Sequence, residues 1–496
     1  MLRKIRITLA AIFYVALTLL FLDFTGTLHV WFGWMAKVQF LPAVLALNAV
    51  VVVALVVLTL VCGRIYCSVV CPLGVMQDVI AWMGRKSKKN RYSYSRPLSW
   101  LRYTLLAAMA LAVALGLNIV VGLLAPYSSY GRLVTTLLQP LYMMGNNVLA
   151  SMAERADSYA FYSVDVWLRS LPVLIVSVVT FVAIFVLAWR NGRTYCNTLC
   201  PVGTVLGQVA RFSWLKVRFD SSKCRSCSLC SKNCKASCID YKTHTVDYSR
   251  CVACGDCLES CHFGALSYAP AHKSAKTTGQ HNQQAPLANS DRRSFLLAAA
   301  LATTAALAQE KKKVDGGLAK IEKKIAPQRQ TPLTPPGSLS AKNMARRCTN
   351  CHLCISECPN QVLRPSGDML TLMQPVMSFE RGYCRPECTR CSEVCPTGAI
   401  QPITPVDKTA IQTGHAVFVK KNCVALTDGV ECGNCERHCP VGAIEMVPSD
   451  PDDEESAYVP AVNESRCIGC GACEHLCPAR PFPAIYVEGH EVHRNI

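Results

Sequence analysis

Six times along this chain four cysteines recur at close spacing, and no other feature narrows so far what it can fold into. The first two groups are Cys224, Cys227, Cys230, Cys234 and Cys251, Cys254, Cys257, Cys261, both reading C-x2-C-x2-C-x3-C. Four more follow: Cys348, Cys351, Cys354, Cys358; Cys384, Cys388, Cys391, Cys395; Cys423, Cys432, Cys435, Cys439; and Cys467, Cys470, Cys473, Cys477. The outer two of these four keep the regular spacing, while the inner two stretch the gap after their first cysteine. A short C-x2-C-x2-C loop wraps three irons of a cubane, and the fourth cysteine of a run ligates the other cluster of a pair. Zinc sites also use C-x2-C pairs, but they have no need of a third cysteine two residues on and a fourth three later. A disulfide scaffold does not suit a chain of 496 residues. The six runs use 24 of the 30 cysteines and point to six [4Fe–4S] clusters in three pairs.

Crossing the fourth ligands in the first module groups Cys224, Cys227 and Cys230 with Cys261, and Cys251, Cys254 and Cys257 with Cys234. Lys235 and His262 stand where a proline usually follows the fourth cysteine, and Cys238 rivals Cys234. In the later runs that proline is present each time, as Pro359, Pro396, Pro440 and Pro478. Their regular outer and stretched inner spacings favour a nested order, first run with fourth and second with third, over a sequential one. Cys348, Cys351 and His352 also fit a c-type haem attachment motif. Because they lie inside a complete C-x2-C-x2-C-x3-C-P run, cluster ligation is the better reading.

The first 200 residues are of another kind. Four uncharged apolar stretches occur there, Ile7–Leu22, Val38–Cys62, Tyr103–Ala125 and Leu171–Trp189. The last three are long enough for a helix to cross a hydrocarbon core, which takes about 20 residues. The first has 16 residues and is marginal. Arg3, Lys4 and Arg6 before it resemble the basic start of a signal peptide, but no small-x-small cleavage site follows, so a retained helix is expected. The segment between the second and third stretches carries Arg64, Arg85, Lys86, Lys88, Lys89, Arg91, Arg96 and Arg102 against Asp78 alone, whereas Pro126–Ser170 has three arginines and three acids. The excess of basic residues places that segment, and both ends of a four-helix membrane bundle, in the cytoplasm. This placement also accounts for much of the net charge of +18, so nucleic acid is not an expected partner. No stretch contains a histidine, which disfavours a bis-histidine haem within the membrane.

An internal repeat marks the ends of the second and fourth stretches. Gly63-Arg64-Ile65-Tyr66-Cys67 through Cys71-Pro72-Leu73-Gly74 recurs at an offset of 129 as Gly192-Arg193-Thr194-Tyr195-Cys196 through Cys200-Pro201-Val202-Gly203. Cysteines four apart fall on one face of a helix and can share one partner. Three roles fit Cys67, Cys71, Cys196 and Cys200: a cluster site, a place near a quinol, or a contact with a partner.

The chain thus divides into a four-helix membrane domain (1–215), a two-cluster ferredoxin domain (216–269), a polar linker (270–290), a short apolar segment (291–308), a second linker (309–347) and a four-cluster ferredoxin domain (348–496). The fold expected is a membrane α-helical bundle with α+β ferredoxin-like [4Fe–4S] domains. The apolar segment opens with Arg292-Arg293-Ser294-Phe295-Leu296, stays uncharged for fifteen residues and closes on Ala306-Leu307-Ala308. It resembles a twin-arginine export signal. Such a signal would send the last domain to the outer face of the inner membrane, with cleavage after Ala308 left open.

Together these residues resemble a fusion of two electron-transfer subunits of periplasmic nitrate reductase systems, the NapH type up to about residue 270 and the NapG type over 290–496. The resemblance implies a multi-pass inner-membrane quinol dehydrogenase module. It would take electrons from the quinone pool through [4Fe–4S] clusters to an exported reductase or cytochrome. No molybdenum, flavin or nucleotide motif is present, so the terminal chemistry would belong to that partner. The other reading is a redox-maintenance or assembly factor, like the membrane ferredoxins of copper-oxidase maturation. Those share the C-x3-C-P helices and one ferredoxin module but have no need of residues 290–496.

Overall fold

The computed structural model describes residues 2–23, 25–86, 92–158, 160–270 and 326–496. The export-signal motif at 291–308 and part of the basic segment (Lys88, Lys89, Arg91) lie outside the described residues.

Helix α1 (Leu2–Leu22) runs unbroken for 21 residues, so it is about 31 Å long at 1.5 Å per residue. The uncharged stretch alone undercounted it. Helix formation continues through Arg3 and Arg6 because their charges find carboxylates, Arg3 on Asp256 and Glu259 and Arg6 on Asp78. Two of the three stretches counted as ample are broken instead. Val38–Cys62 splits where Leu47 takes a φ of 56° and the Asn48 side chain caps Val51 N, so that a fresh helix, α2 (Ala49–Cys62), starts there. Tyr103–Ala125 splits after α3 (Ser99–Leu115), where Gly116 adopts a φ of 75° and Leu117 N closes back on Ala112 O. A left-handed residue there favours glycine, which has no Cβ to clash. Pro126 then opens the fully buried α4 (Pro126–Leu133). The fourth stretch forms α5 (Leu171–Asn191), 21 residues ending at Gly192. Among the described residues two helices, α1 and α5, are therefore long and apolar enough to cross a membrane, where four were expected.

These helices turn apolar side chains outward. Ile5, Ile12 and Val15 of α1, Val50 and Val53 of α2, and Ile175, Val179 and Val182 of α5 are all exposed, while Leu17, Leu20 and Phe21 are fully buried. Such a continuous outward apolar surface marks contact with something other than water.

The cysteine-rich parts are small α/β units framed by antiparallel strands. Strand β1 (Leu215–Phe219) pairs with β2 (Leu266–Pro270) and brackets the first two cysteine runs. Strand β3 (Ile411–Phe418) pairs with β6 (Ile485–Asn495), enclosing the last two runs together with the hairpin β4 (Ile444–Asp450) and β5 (Asp453–Val462).

The two ferredoxin units stand at opposite ends of the long helices. At its start α1 meets the first through Arg3 and Asp256, and just past its end Gly26 faces Arg390 and Glu357 of the second. Helix α3 runs from Arg102, bonded to Ser249, to Gly116 against Arg346. In α5, Pro172 lies near Gly367, and Gly192 touches the Lys235 carbonyl region.

Candidate metal centres

Four of the six cysteine runs share a local backbone geometry. The residues on either side of the second cysteine both take positive φ: Ser226 and Ser228, Ala253 and Gly255, Asn350 and His352, Gly469 and Gly471. This curls each loop so that backbone N–H groups face the thiols, as in Ser226 N to Cys224 Sγ and Asn350 N to Cys348 Sγ, both 3.4 Å. Side-chain identity does not reveal it, since only three of the eight residues are glycine.

The loops bring the thiols into sets. Cys224, Cys227, Cys230 and Cys261 line one small pocket between Phe219 and Phe263. Cys251, Cys254, Cys257 and Cys234 line another, and Cys423, Cys432, Cys435 and Cys477 a third. Cys238 shares the second cavity, its sulfur 3.5 Å from that of Cys234, so the rivalry foreseen between them is real in space. In the remaining sets, Cys395 is the electrostatic neighbour of Cys348, Cys351 and Cys354. Cys358 joins Cys384, Cys388 and Cys391. Cys439 joins Cys467, Cys470 and Cys473.

The later half is thus paired in sequence, first run with second and third with fourth. The nested order expected from spacing is wrong. Each pair is closed by its own short strands, and spacing within a run carries no information about which neighbour supplies its fourth cysteine. The two pairs meet where Cys384 N donates to Cys470 O at 2.9 Å.

These sets fit cubanes better than single ions. Four thiols rim each of these pockets, and among the described residues no three His, Cys, Asp or Glu side chains converge closely enough to hold one metal ion. Burial pushes the Cys254, Cys351 and Cys470 thiols up to about 12, so a metal would displace their protons on binding. His352 is only 2% exposed and its Nε2 lies 2.9 Å from Met373 O, with burial lowering its pKa to about 3. Cys348 and Cys351 beside it belong to a four-thiol set, the arrangement expected of a cluster loop rather than of a haem attachment site.

At the C-terminal ends of α2 and α5 the two repeats form matching turns. Each begins with a positive-φ glycine, Gly63 or Gly192, and ends at a proline that opens a new helix, α6 (Pro72–Lys86) or α7 (Pro201–Ala210). Here Cys67 and Cys71, and Cys196 and Cys200, flank a turn rather than sharing one face of a continuous helix, and each of the four is 4% exposed. The turns abut the first ferredoxin unit, where Arg193 N donates to Lys235 O and Asn197 Nδ2 to Ala236 O. On the far side, Gly131 of α4 packs on the Cys351 carbonyl of the second unit.

Curled C-x2-C-x2-C loops with exchanged fourth cysteines define a ferredoxin-type protein that transfers electrons on [4Fe–4S] clusters. Comparison with known proteins agrees. A 4Fe-4S binding domain model matches residues 44–90 and 173–220, and 4Fe-4S dicluster domain models match 247–362 and 430–480. The 247–362 match joins two cysteine runs that the fold keeps at opposite ends of the helices. The methylamine utilization ferredoxin-type protein MauM of Methylobacillus flagellatus is 31% identical over 166 residues, 32% of this chain and 70% of MauM. The ferredoxin-type protein NapG of Escherichia coli is 30% identical over 186 residues, 35% of this chain and 79% of NapG. The methylamine utilization ferredoxin-type protein MauN of Paracoccus denitrificans is 27% identical over 178 residues, 35% of this chain and 49% of MauN. No solved structure matches. The chain belongs to the family of ferredoxin-type electron-transfer proteins that includes MauM and NapG.

Proposed function

We propose that this chain is a membrane-bound polyferredoxin, a NapH-type half joined to a NapG-type half, that carries electrons from quinol to an exported reductase or cytochrome. The six cysteine sets would hold six [4Fe–4S] clusters, which when bound accept and return electrons one at a time. The observation that carries the reading is the placement of thiol sets at both ends of apolar helices about 31 Å long. The outward apolar surface of α1, α2 and α5 suits a bilayer.

A quinol reading is supported by a partly open pocket between the helices and the second ferredoxin unit, bordered by Gln139, Met143, Trp167, Arg169, His352 and Cys358. Gln139 Oε1 accepts from Arg169 Nη1 at 3.0 Å, which leaves its buried Nε2 without a partner. A free buried donor beside an apolar wall suits a hydroxylated ring with an apolar tail. Anaerobically purified full-length protein mixed with a menaquinol analogue should show reduction of its visible iron–sulfur absorption. Gln139→Leu should slow that reduction about tenfold, the worth of one buried hydrogen bond, with iron content unchanged. Absence of any quinol-dependent reduction would shift the reading to redox maintenance.

Orientation has its own test. With the first unit inside and the second exported, protease added to intact spheroplasts should reach residues 348–496. Changing Arg292 and Arg293 to Lys should restore protection. Protection of the unaltered chain would end the exported-reductase reading.

A further inference from the structure

We propose that Cys67, Cys71, Cys196 and Cys200 hold a seventh [4Fe–4S] cluster, shared between the two repeats and linking the two ferredoxin units; this rests on the polyferredoxin reading above. The first ground is convergence. Each of the four thiols is an electrostatic neighbour of the other three, two from each repeat. The two turns grip each other reciprocally: Arg193 Nη1 donates to Cys67 O at 2.6 Å and Arg64 Nη2 to Cys196 O at 3.2 Å. Gly74 and Gly203 pack so tightly on the Cys67 and Cys196 carbonyls that a Cβ on either would lie 2.3 Å from the oxygen. Such closeness fixes both turns around the thiols.

The second ground is charge. Arg64 and Arg193 are both 0% exposed. Arg193 has Asp78 at 2.5 Å, but Arg64 has no carboxylate partner among the described residues. It bonds Asn197 Oδ1, Ser249 O and Cys196 O, reaches the Cys67 sulfur at 3.7 Å, and leaves Nε unpartnered. Arg193 Nη2 is likewise buried without a partner. An unpaired guanidinium in a buried site is costly unless a counter-charge sits beside it. Four neutral thiols supply none. When four thiols release four protons and bind one cubane core, the assembly carries roughly two net negative charges, which offset Arg64 and the excess of buried cations.

The third ground is position. One side of this thiol set meets the Lys235–Ala236 segment beside Cys234. On the other, Tyr66 neighbours Cys67, Cys71 and Cys200, and Tyr127 neighbours both Tyr66 and Cys351. The set therefore fills the interval between Cys234 and Cys351, where the row of thiol sets would otherwise be interrupted by the helices.

The test is a count of iron and acid-labile sulfide in anaerobically purified full-length protein, with Cys67→Ser/Cys196→Ser as the variant. Native protein should hold about 28 irons per chain and the variant about 24, with the electron paramagnetic resonance signals of the other clusters retained. A second variant, Cys71→Ser, guards against misfolding of the first, and it should lose the same four irons. No loss of iron in either variant, whatever the native count, overturns the proposal. A native count short of 24 that still falls by about four on substitution upholds this site and breaks the six-cluster reading instead.

Discussion

Replacement of Asp78 by alanine is expected to destabilise the protein by about 3–5 kcal/mol, the cost of stripping buried cations of their partner. The Asp78 carboxylate accepts from Arg193 at 2.5 Å, Lys235 at 2.8 Å and Arg6 at 3.2 Å, and its side chain is 13% exposed. Lys235 also reaches Asp256 at 3.2 Å, and Asp256 holds Arg3 at 2.9 Å. This network ties α1, α6 and the second repeat to the first ferredoxin unit. Its loss should loosen that unit in particular, seen as early proteolytic cutting within residues 215–270 and a large fall in Tm. Asp78→Asn keeps an acceptor without the charge and should fall between the two. A change in Tm of less than about 2 °C for Asp78→Ala would show that the cations find other partners.

Cys358→Ala and Cys384→Ala should each remove about four irons, and the double variant should again remove about four, because both residues border one set. A nested order would put them in different clusters, and the double variant would then lose about eight. Iron analysis of the three proteins decides between the two orders, and the large difference survives partial occupancy.

The membership of each cysteine run was legible because cluster chemistry dictates spacing along the chain, and the repeat at an offset of 129 became two matching turns. The order of pairing was not legible. It depends on strands such as Ile411–Phe418 and Ile485–Asn495, which close around the last two runs and leave no mark in cysteine spacing. Hydropathy also misjudged the helices in both directions. It could not see that Arg3 and Arg6 would find carboxylates distant in sequence, nor that Asn48 would cap a new helix inside an apolar stretch. The curl at Asn350 and His352 was hidden as well, because neither residue type advertises a positive φ as glycine would. In the sequence Arg64 read as a topogenic basic residue and Arg193 only as its counterpart in the repeat. Their burial beside the four thiols appears only when the two repeats are brought together.

The ferredoxin units at the two ends of α1 carry one consequence that concerns voltage rather than chemistry. Thiol sets spread along the length of a helix long enough to span a bilayer would make electron movement between them a movement of charge along the membrane normal. An elementary charge carried across the full drop of a 100 mV potential exchanges about 2.3 kcal/mol with it. Traffic between the two ends would then speed or slow with the energised state of the membrane, whereas electrons entering beside Cys358 and leaving on the same side would not feel it.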